Sequence, residues 1–76
     1  MYIEFNVALN GKHFFATTER SCTNSEQAKV LNEVLQAKFP ESEGYSIRAS
    51  LHPQRSYGID LSKDIAFEVN NILTNL

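Results

Sequence analysis

The sequence predicts an α+β domain of order β-β-α-β-(β)-α. A three- or four-stranded, mainly antiparallel sheet carries two helices on one face. Three observations point there. Residues 1–9 alternate apolar and polar with a period of two, an Asn-Gly pair follows at 10–11, and two later segments switch to the 3.6-residue period of amphipathic helices. Each strand shows one apolar face, as in an antiparallel sheet covered on one side only. The second face then has no helix in the chain to cover it.

In the first strand Met1, Ile3, Phe5, Val7 and Leu9 share one face, and Tyr2, Glu4, Asn6 and Ala8 the other. Asn10-Gly11 is the pair that a type I′ turn selects, because both central residues need positive φ. The second strand runs from Lys12 to about Thr18. A two-residue turn fixes the register: Leu9 opposite Lys12, Val7 opposite Phe14, Phe5 opposite Ala16 and Ile3 opposite Thr18. On the other face Ala8 meets His13, Asn6 meets Phe15, Glu4 meets Thr17 and Tyr2 meets Glu19.

Glu19 to Asn24 is polar and reads as a loop. Thr23 to Glu26 reads as a capping box, with Thr23 as the N-cap of a helix running to about Lys38. Its expected buried stripe is Ala28, Leu31, Val34, Leu35 and Phe39, with Val30 and Ala37 at the margin. Pro40 ends it, because the residue before a proline avoids the helical region. Glu41 to Gly44 is a turn. Tyr45 to Leu51 alternates as a third strand, and Tyr57 to Leu61 is a candidate short fourth. Ser62 is the expected N-cap of a last helix from Lys63 to about Asn75. Ile65, Ala66, Val69, Ile72, Leu73 and Leu76 form its stripe, and Phe67 points away from it.

Residues 1–76 make a single domain, since a chain this short has a thin core and no linker divides it. The Met1 start suggests a complete small protein, with neither the basic nor the apolar region of a signal peptide behind it. No apolar run is long enough to span a membrane. Seven Lys+Arg against nine Asp+Glu give a net charge of −2. That balance argues against a general nucleic-acid binder, which usually carries a basic stripe. A single cysteine excludes an internal disulfide framework and suits a reducing, cytoplasmic setting.

No constellation of catalytic residues emerges. Cys22 stands before a helix N-terminus, but His13 and His52 are the two imidazoles and neither is near it in sequence. Two histidines are too few for a metal site without carboxylate help. Gly11, Gly44 and Gly58 are isolated, so no phosphate-cradling loop exists. The expectation is a protein without enzymatic activity, metal or cofactor.

The uncovered sheet face is the candidate working surface. Tyr2, His13 and Phe15 are expected on it from the hairpin and Arg48 from the third strand. Arg48, His52, Gln54, Arg55 and Tyr57 form the one basic, polar and aromatic concentration in the chain. Together these give the expected partner-binding set Tyr2, His13, Phe15, Arg48, His52, Arg55 and Tyr57. The expected function is that of a small regulator or inhibitor that occupies a partner protein's surface. A homodimer through the open sheet face is a second use of the same surface. In size and lack of chemistry the chain resembles phage or mobile-element inhibitors of host defence, anti-CRISPR proteins among them, a likeness that rests on no motif. The alternative is RNA or single-stranded DNA binding, with bases stacked on the aromatics of the open face.

Overall fold

The computed structural model describes residues 1–18, 21–53 and 55–76. Its elements are β1 (Tyr2–Leu9), β2 (Lys12–Ala16), α1 (Ser25–Lys38), a 3-10 turn (Glu41–Glu43), β3 (Tyr45–His52), β4 (Tyr57–Ile59) and α2 (Ile65–Thr74). The fourth strand therefore exists, and the sheet is antiparallel throughout with the order β2-β1-β3-β4. The expected α+β class and element order hold.

Asn10 and Gly11 take φ values of 50° and 82°, the left-handed pair that a two-residue hairpin turn demands. The register starts as the turn dictates, with Leu9 opposite Lys12 and Ala8 opposite His13. It then slips. Val7 pairs with Phe15 and Asn6 with Ala16, so Phe14 is an extra residue on β2, a β-bulge. Beyond it the Thr17 amide donates to the Phe5 carbonyl at 2.9 Å, and the Phe5 amide to Thr17 Oγ1 at 3.0 Å. The expected pairs Val7–Phe14, Phe5–Ala16 and Asn6–Phe15 are thus displaced by one residue. The bulge carries Phe15 to the helix-covered face, where it packs against the core.

That core is small. Ile3 and Phe5 from β1 meet Ala49 and Leu51 from β3 and Ile59 from β4, all buried, while Val7, also buried, lies between Phe15 and Ile47 on the neighbouring strands. Ala28 and Leu35 of α1, Ile65 and Val69 of α2, and Cys22 join the same cluster, which puts both helices on one sheet face. At one end an aromatic group closes the layer. Phe39 meets Phe15 at 5.3 Å, Phe14 at 6.0 Å and Tyr45 at 5.1 Å between ring centroids, each edge-on.

Both helix starts differ from expectation by one or two residues. Asn24, not Thr23, caps α1: its side chain accepts from the Gln27 amide at 2.9 Å. Gln27, rather than Glu26 as a capping box from Thr23 would require, then reaches back and accepts from the Thr23 amide at 2.9 Å. Asp64, not Ser62, caps α2, accepting from the Phe67 amide at 3.1 Å. That bond, more than the nearby Lys29 ammonium, holds the Asp64 carboxyl below its ordinary range. Ser62 instead donates to Asp60 through its amide and hydroxyl, and these bonds lower the Asp60 carboxyl.

Gly44 ties the hairpin to the rest of the sheet. Its φ is +92°, and its carbonyl accepts from the Asn10 amide at 2.9 Å. A Cβ here would run into the Asn10 side-chain oxygen. Gly44→Ala is expected to cost about 1–2 kcal/mol from the left-handed backbone alone, with the contact adding to it. Urea denaturation measures the loss, and the Asn10 amide should exchange faster with solvent. An unchanged midpoint and unchanged exchange would contradict the tie.

Candidate functional site: the open sheet face

Alternate side chains of β1 and β3 leave the sheet on the face opposite the helices. The antiparallel register sets Tyr2 beside His52, Glu4 beside Ser50, Asn6 beside Arg48 and Ala8 beside Ser46. His13 of β2 comes alongside Ala8. All of these residues are exposed or half-buried. The arrangement follows from period-two alternation on three adjacent strands.

One half of the face is held by its own contacts. The Tyr2 and His52 rings stack at 4.5 Å between centroids and within 4° of parallel. His52 Nε2 is 2.8 Å from Ser50 Oγ and 3.8 Å from Glu4 Oε1. The Asn6 amide group donates to the same Glu4 oxygen at 2.9 Å. Glu4 is thus the hub of a short polar chain that fixes the rotamers of its neighbours.

The other half is a shallow groove of about 290 Å³ beside Arg48, His13, Asn6 and Ser46. Arg48 forms no ion pair or side-chain hydrogen bond among the described residues. A guanidinium with five unused donors beside an imidazole is suited to a carboxylate.

The expected partner-binding residues therefore separate. Tyr2, His13, Arg48 and His52 do share the open face. Phe15 does not, because the bulge turns it beneath the helical layer, against Phe39. Tyr57 does not either: it pairs with Leu51 and packs against the core on the helix side. Arg55 accompanies Tyr57, donating from Nε to the Tyr57 hydroxyl at 2.9 Å. Both line a surface recess of about 420 Å³ with Asn75 and Leu76, at the C-terminal end of α2. Gln54 lies outside the described residues. Glu4, Asn6 and Ser50, which organise the open face, stood outside the expected set. Their period-two spacing placed them there, but nothing in sequence shows that they bond to one another.

Cys22 is sealed in the core, and burial pushes its thiol above the ordinary value, with the Asn24 backbone offsetting part of the shift. Among the described residues no three His, Cys, Asp or Glu side chains gather as metal ligands. Among them, too, no helix is long and apolar enough to cross a membrane. Compared with protein-family models, curated proteins and solved structures, the chain matches none of them.

Proposed function

We propose that this chain is a small, non-catalytic regulator or inhibitor that acts by occupying a partner protein's surface with its open sheet face. One observation carries the reading: Arg48, with no ion pair or side-chain hydrogen bond among the described residues, lies in a groove beside His13 on the same face as a preformed Tyr2–His52 stack. Rigid aromatic and arginine side chains at the centre of a patch are the usual anchors of protein interfaces. Because Glu4, Ser50 and Asn6 already fix their neighbours, little side-chain entropy is lost on docking. The chemistry of the groove selects an acidic side chain on the partner. An inhibitor of a host-defence complex, from a phage or mobile element, is the form of this role that the chain's size suggests.

The test is affinity capture from the native host with the wild type and a His13→Glu/Arg48→Glu double variant. Both substitutions lie at exposed positions, so the fold should persist. A partner held by the wild type and lost by the variant is the expected result. A partner retained equally by both would overturn the choice of surface.

A further inference from the structure

The helical layer leaves one flank of α1 uncovered. Glu26, Val30, Val34 and Lys38 recur every fourth residue and so form one ridge along the helix. Val34 was expected in the buried stripe, yet it is 43% exposed and Val30 is 62% exposed. Gln27 and Leu31 line a shallow groove of about 430 Å³ beside this ridge. The second helix sits against the other flank, where Lys29 reaches Asp64 at 3.5 Å. Neither Glu26 nor Lys38 takes part in an ion pair among the described residues.

We infer that this ridge is the interface of a homodimer, in which two copies of α1 pack antiparallel about a two-fold axis at the level of residue 32. Positions 26 and 38 lie symmetrically about that level, and so do 30 and 34. An antiparallel pair therefore sets Val30 against Val34 of the second copy, and Glu26 against Lys38 of the second copy, each contact occurring twice. A self-complementary patch of this kind is what a two-fold interface requires. Parallel packing would put Glu26 on Glu26 and Lys38 on Lys38. The antiparallel order also sets each helix dipole against the opposite one. The ridge from Glu26 to Lys38 is about 18 Å long, short for a standard interface, so the dimer forms in a concentration-dependent way. It uses none of the open sheet face, which stays available to a partner.

Sedimentation equilibrium of the full chain, from about 10 μM to about 1 mM, tests this. A monomer–dimer equilibrium is expected. Glu26→Lys alone and Lys38→Glu alone should each weaken the dimer by about tenfold, because two attractive pairs become repulsive. Mixing those two variants should restore association, since each then offers the charge the other lacks. Such rescue cannot arise from misfolding. Val30→Glu/Val34→Glu should be monomeric with an unchanged far-UV spectrum. A monomer over the whole range would overturn the inference. So would a dimer that these variants leave intact but His13→Glu/Arg48→Glu breaks.

Discussion

Phe5→Ala is expected to cost about 3–5 kcal/mol, the largest loss of any single truncation in the core. A chain of 76 residues has about 4–11 kcal/mol of stability in total. Among the described residues Phe5 is the largest fully buried side chain, and it sits on β1, which is paired on both edges. Its cross-strand neighbours are Ala49 and Thr17, two small side chains that cannot swing in to refill the space. The substitution therefore leaves a cavity rather than a repacked core. Guanidinium denaturation followed by circular dichroism gives the value. A loss below about 1.5 kcal/mol would show that the helices settle onto the sheet to close the gap.

The two adjacent phenylalanines of β2 should respond very differently. Phe15→Ala is expected to cost about 2–3 kcal/mol and Phe14→Ala less than about 1 kcal/mol. Phe15 lies opposite Val7 and against Phe39, half-buried beneath α1. Phe14 is 51% exposed and touches its aromatic neighbours only by its edges. In a hairpin without a bulge the order reverses, because Phe14 would then face Val7 and Phe15 would stand in solvent. Parallel urea titrations of the two variants therefore read the register directly. A larger loss at Phe14 would refute the bulge.

Much of the architecture was legible because several local signals agree. The alternation in residues 1–9, the Asn10-Gly11 turn and the spacing of Ala28, Leu31 and Leu35 all point to the same layers. The bulge was not legible. With two phenylalanines in a row at 14 and 15, either register places one aromatic ring on the core side, so hydrophobic pattern alone cannot choose. The bulge lets both rings reach Phe39, which arrives from a distant part of the chain, and no local pattern shows that. The caps were ambiguous for a related reason. Thr23 and Asn24 are both good cap residues, as are Ser62 and Asp64, and the first helical turn decides between them. On α1, periodicity placed Val34 in the stripe because it cannot say which flank a second helix will cover. Of the candidate site, Tyr2, His13 and Arg48 follow from alternation on the strands, whereas His52, read as a loop residue, joins the face because β3 runs one residue further than expected. Phe15 was lost to the bulge, and Tyr57 to the pairing of β4.

The bulge at Phe14 has a consequence beyond the hairpin. β2 is an outer strand of the sheet, and β4, the other outer strand, is three residues long. A long, regular outer strand offers a ladder of free amides and carbonyls on which further chains can stack into fibrils. Five residues, one of them the unpaired Phe14, do not offer that ladder, and the local twist of the bulge turns the border away from a flat template. The same irregularity that carries Phe15 under α1 therefore also guards an otherwise sticky sheet against open-ended polymerisation.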